Sequence, residues 1–151
     1  MIILQSRTRY TFRERAPEWI LSFGLILWGI FVLAIPTLFD SGTYKVLLSV
    51  MSQEAWGWAP IIIGLFRLMA LAINGHWKNS THLRALGAVG GVTIWASLCL
   101  VSLMNLNERG TGVSTFGMLM VFDFLALWWA AGDAKLMDNE SAQVIKDVRN
   151  G

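Results

Sequence analysis

The chain has 151 residues, of which 55% are hydrophobic and only 15% charged, with a mean hydropathy of +0.54. An ordinary soluble domain carries about 25% charged residues, so this composition argues against a soluble fold. The formal net charge of +2 is too small to point to nucleic acid, and the single cysteine, Cys99, cannot form an internal disulfide.

The apolar residues gather into four long runs. At about 1.5 Å of rise per residue, roughly 20 such residues cross about 30 Å of hydrocarbon. The first span is expected from Trp19 to Phe39. Pro17 suits a helix start, and Pro36 should loosen the last turn. The run is too long for the core of a signal peptide, and no small-residue cleavage site follows it. Between the first two spans lies TYKVLLSVM (Thr43 to Met51), apolar but too short to cross. It is expected as a short interfacial helix. The second span should run from Trp56 to Asn74, with Gly75 as its C-cap. The third should run from Leu83 to Asn105, and the fourth from Gly112 to Gly132.

Residues 1–18 then form a basic tail and residues 133–151 a C-terminal tail. Four spans put both tails on one side. Of the twelve lysines and arginines, nine fall on that side: Arg7, Arg9, Arg13, Arg15, Lys78, Arg84, Lys135, Lys146 and Arg149. Only Lys45 and Arg109 fall on the other, so both termini are expected in the cytoplasm. Trp19, Trp56, Trp58 and Trp77 lie near the expected interfaces, where an indole N–H can stay wet. In the C-terminal tail, Met137, Ser141, Val144, Ile145 and Val148 share one helical stripe that could dock on protein, membrane or partner. Asn79-Ser80-Thr81 matches a glycosylation sequon, which has no meaning on the cytoplasmic side.

Two charges stand inside the spans. Arg67 is 11 residues after Trp56, and Asp123 is 11 residues after Gly112. Spans two and four run in the same direction, so each charge sits about 16 Å along its helix, at matched depth. An ion pair between them would offset part of the roughly 2.5–3.5 kcal/mol cost of a charge at the bilayer centre. Such a pair could fix how the two helices meet, or it could line an ion or proton path. Snorkelling toward the cytoplasmic end would account for Arg67 but not Asp123. The face around Arg67 holds Pro60, Gly64, Ala70 and Asn74, which suits close helix packing. Gly87, Gly90 and Gly91 in the third span contain a small-xxx-small pair, Gly87 and Gly91, fit for tight packing inside the bundle or for a dimer face. Thr93, Ser97 and Ser102 are expected to bond their own preceding turn. LFRLMAL (65–71) and VFDFLAL (121–127) align without gaps, a weak echo of a two-helix duplication.

The sequence carries no familiar enzymatic signature. His76 and His82 have no cysteine or carboxylate spaced to complete a metal site. There is no phosphate loop and no Gly-x-Ser-x-Gly elbow. Haem would want histidines in the spans. The basic tail RTRYTFRER fits orientation and anionic-lipid contact better than nucleic acid. No cofactor and no metal are expected.

WGWAPIIIGLFRLMALAINGHWKNSTHLRALGA (56–88) resembles small four-span membrane proteins encoded by tailed bacteriophages and prophages. The resemblance rests on Trp56-Gly57 opening the second span, the Arg-x-x-Ala-Leu-x-Ile-Asn-Gly run from Arg67 to Gly75, and Leu83 to Ala88 opening the third. ERAPEW, Glu14 to Trp19, fits too, and the match covers about half the chain. It implies a bacterial inner membrane and carries over no catalytic residue.

The expectation is therefore an all-α, polytopic transmembrane four-helix bundle with both termini cytoplasmic. Its partners would be the lipid bilayer and either further copies of itself or another membrane protein. The expected role is a non-enzymatic lysis-type (holin-like) oligomer. Two alternatives stand beside it: an interaction protein for superinfection exclusion or genome entry, and an ion or solute pathway built on Arg67 and Asp123.

Overall fold

A computed structural model describes residues 15–40, 42–73, 80–104 and 112–150. The described chain is helical throughout apart from short turns. Among the described residues, four helices are long and apolar enough to cross a membrane, the pattern of a multi-pass membrane protein. They are α1 (Ala16–Ala34), α3 (Gln53–Ile73), α4 (Ser80–Met104) and α5 (Gly112–Asn150), with a short helix α2 (Gly42–Lys45) between the first two.

α1 starts with proline in its first turn and buries Glu18, Leu21, Ser22, Leu25, Gly29 and Val32, one stripe at helical spacing. It ends at Ala34, earlier than the expected Phe39. Ile35 is extended, at φ −117° and ψ 91°, because the ring of the following Pro36 disfavours helical backbone there. The chain then makes a 3₁₀ turn over Leu38–Asp40, then α2, then a second 3₁₀ turn over Val46–Ser49.

The connector is built differently from the single amphipathic helix expected for 43–51. Leu47 is buried and the half-buried Tyr44 stacks on Phe39 at 5.8 Å, while Val46, Leu48 and Val50 face outward. Burial pushes the Tyr44 phenol above its usual 10.0. Gln53, at the start of α3, ties the connector down. Its amide nitrogen donates to the carbonyls of Val32 (2.9 Å) and Ile35 (2.6 Å), and its oxygen accepts from the Phe39 N–H (3.3 Å). Two orphan carbonyls at the end of α1 are thus satisfied.

α1 packs extensively on α3, and α4 on α5; the two pairs join through α3 and α4, with a lighter contact between α1 and α5. The α1–α3 seam is close enough for the backbones to touch. A Cβ on Gly29 would collide with the Gly57 carbonyl, and one on Gly64 would sit 2.7 Å from the Ser22 carbonyl. Glycine at these positions lets dispersion act between the helices over their length.

The interior is divided along the bundle axis. The connector half is apolar and aromatic, with Leu25, Val32, Phe39, Leu47, Trp56 and Leu98 in one cluster. Trp95 and Phe116 stack there at 6.2 Å, and Trp28 meets Phe116 edge-on at 5.4 Å. The other half is where the buried charges lie. α5 does not stop at Gly132. It continues as one helix of 39 residues, about 58 Å at 1.5 Å per residue, so it outruns the hydrocarbon by several turns.

Candidate functional site

Arg67 lies on the inward face of α3, along with Gly64 and Ala70. Asp123 lies on the inward face of α5, in line with Ala126, Ala130 and Ala134, all buried. Those alanines let α5 come close to its neighbour. The two charges meet: Arg67 Nη1 is 2.5 Å from Asp123 Oδ1, with side chains 4% and 0% exposed.

The meeting point is made by α4. A Cβ on Gly87 would sit 2.5 Å from Arg67 Cγ, and one on Gly91 would sit 2.5 Å from Arg67 Nη1 and collide with Asp123 Oδ2. Gly90 packs on Ile63 at 3.0 Å by the same measure. The Gly87–Gly91 pair therefore cradles an ion pair inside the protein, and the dimer-face alternative for it does not hold. One turn on from Gly91, Trp95 is buried in the same interior. Arg67 and Asp123 are held together as a buried ion pair at contact distance.

A second charged cluster closes the end of the bundle away from the connector. Arg84 of α4 is 4% exposed and sits between carboxylates from two other helices. Its Nε donates to Glu18 Oε2 at 3.0 Å, its Nη2 to Glu18 Oε1, and its Nη1 to Asp133 Oδ2 at 3.1 Å. Arg15 adds a looser contact to Asp133 Oδ2 at 3.9 Å. A guanidinium suits this place because its fixed fork can serve several acceptors in a plane. One arginine thereby links α1, α4 and α5.

This cluster was not expected from the sequence, where Arg84 stood only among the cytoplasmic-side charges; in the structure α4 begins at Ser80 and Arg84 falls in its second turn, facing the interior. The available signal was spacing: Arg84, Gly87 and Gly91 recur at i, i+3 and i+7, on one helical face. Gly29 and Gly57 were missed as well.

The remaining expected positions divide. Trp19 is half-buried and Trp58 is 56% exposed. Trp56, expected as a wet interface anchor, is instead 3% exposed inside the apolar cluster, where its N–H donates to the Leu47 carbonyl at 3.0 Å. The folded-back connector supplies that acceptor, so water is not needed. Trp77, the Gly75 cap, His76, the sequon asparagine, the basic tail before Arg15 and the side chains of the expected C-terminal stripe lie outside the described residues. The span hydroxyls bond their own helices: Thr93 to Val89 O at 2.9 Å, Ser97 to Thr93 O at 2.8 Å, Ser102 to Leu98 O at 2.8 Å. No group of histidine, cysteine and carboxylate side chains suited to a metal occurs among the described residues.

Compared with family models, curated proteins and solved structures, the chain matches none.

Proposed function

We propose that the protein is a non-enzymatic membrane interaction protein of the bacterial inner membrane, phage-encoded, with both ends in the cytoplasm. In this reading the bundle is a rigid holder for α5, whose helical extension reaches beyond the bilayer to a membrane-associated partner. The observation that carries it is how the charges are used. In the interior Arg67 faces Asp123 and Arg84 faces Glu18, and the span hydroxyls of Thr93, Ser97 and Ser102 are held by their own backbones. An aqueous lesion or an ion path needs polar groups presented to a lumen. A holder needs those groups locked together, as they are here. The continuity of α5 through Gly132 adds support, since a rigid helix transmits the bundle's position to its far end.

Controlled expression in a bacterial host, with a potential-sensitive dye, tests this reading. The expected result is an intact potential at high expression, with a membrane-protein partner cross-linked by the full chain and lost when the chain stops after Leu136. An abrupt late collapse of potential would mean a lysis-type oligomer. A graded leak altered by Arg67→Ala would mean a pathway.

A further inference from the structure

The two ends of the bundle are held together by different means. Toward the connector, Trp28 of α1 meets Phe116 of α5 edge-on at 5.4 Å, and Phe116 stacks on Trp95 of α4 at 6.2 Å. Rings of this size bury much apolar area where they meet. Toward the opposite end, the apolar residues that α5 buries are Ala126, Ala130 and Ala134, whose short side chains offer little surface to α1. Ser22, one turn in from Glu18, donates its hydroxyl to the Glu18 carbonyl at 2.7 Å and so spends it within α1.

Charge ties α1 across the bundle at this end. Glu18 accepts from Arg84 Nε and Nη2, and the same guanidinium reaches Asp133 through Nη1 at 3.1 Å. Arg15 meets Asp133 at 3.9 Å with side chains 23% and 45% exposed, and a contact so open to solvent holds little by itself. Helix packing is divided in the same way. α1 lies along α3 and α4 along α5, the two pairs join through α3 and α4, and α1 touches α4 and α5 only lightly.

We infer that Glu18 and Arg84 form a clamp that closes the bundle at this end alone. On its release the α1–α3 pair swings away from the α4–α5 pair there. The contact of Trp28 with Phe116 keeps the connector end shut and serves as the hinge. Glu18 lies 10 residues, about 15 Å, from Trp28 along α1. A rigid-body swing of about 15° moves it by about 4 Å. The swing also redirects the extension of α5; that consequence rests on the function proposed above, and the clamp itself does not.

The test uses the full chain in nanodiscs without any partner, on a Cys99→Ser background. Spin labels go on exposed positions: Ile20→Cys with Leu136→Cys at the clamp end, and Ile30→Cys with Met118→Cys at the connector end. Double electron–electron resonance reads the two distances. Glu18→Ala leaves Arg84 paired with Asp133, so no charge is buried alone. It should lengthen the clamp-end distance by about 3 Å and leave the connector-end distance unchanged. Glu18→Gln keeps an oxygen for Arg84 and should lengthen the clamp-end distance alone, by less. An unchanged clamp-end distance in Glu18→Ala would mean that packing closes that end. Equal lengthening at both ends in the two variants would mean that the bundle loosens as a whole. Either outcome overturns the inference.

Discussion

Gly91 and Asp123 lie so close across the α4–α5 seam that no side chain fits between them. A methyl group on Gly91 would collide with the Asp123 carboxylate and stand 2.5 Å from the Arg67 guanidinium. The ion pair between α3 and α5 thus exists in its observed form because a third helix is bare at that level.

Gly91→Ala should push the pair apart. Overpacking in a tight core costs about 1–3 kcal/mol, and a loosened buried pair adds to it. Gly117→Ala, whose Cβ would meet Cys99 Sγ at an ordinary 3.6 Å, is the matched control and should be nearly neutral. Steric-trapping unfolding in bicelles measures both. Equal stability of the two variants would show that the contact at Gly91 relaxes freely.

Removing one charge should cost more than removing both. Arg67→Met or Asp123→Asn alone leaves its partner buried without its counter-charge, at about 3–5 kcal/mol. The double variant keeps most of the volume without the charges and should recover most of that loss. A charge swap should recover less, because Gly87 leaves room for an arginine stem coming from α3, not from α5. Membrane accumulation of the four variants gives the first reading, and unfolding in bicelles the second. A swap as stable as the parent chain would contradict the role given to the glycines.

Arg84→Lys should not be conservative. An ammonium cannot span the acceptors on Glu18 and Asp133 that Nε, Nη1 and Nη2 now reach. The expected loss is about 2–3 kcal/mol, with the first turns of α1 becoming open to hydrogen exchange. Exchange unchanged at residues 18–22 would mean that packing alone holds α1 in place.

Gln53→Ala should free the connector. It removes hydrogen bonds to Val32, Ile35 and Phe39 and leaves the last carbonyls of α1 without those partners, at about 1–3 kcal/mol. Exchange at residues 38–51 should rise, while α4 and α5 stay protected. Global destabilisation without this local effect would count against the connector as a separately fastened unit.

The sequence by itself determined that four stretches are long and apolar enough to cross a membrane, as four helices among the described residues are. This follows from local physics: backbone that must cross hydrocarbon has to satisfy its own hydrogen bonds, and about 20 apolar residues is the length that does so. Matched depth for Arg67 and Asp123 was also legible, since rise per residue converts position into depth. The end of α1 was readable in principle from Pro36, a local rule that the hydropathy of the run obscured.

Tertiary structure decided what depends on which helix stands beside which. That Gly87 and Gly91 face Arg67 and Asp123, rather than lipid or a second copy, depends on the α3–α4–α5 arrangement. Trp56 became a core residue because the connector folds back to offer it the Leu47 carbonyl. Arg84, 66 residues from Glu18 and 49 from Asp133 in sequence, found both only once α1, α4 and α5 were assembled. Hydropathy reads each residue against the solvent it would meet alone. It cannot see that in a bilayer a charge takes its solvation from whichever helix packs against it.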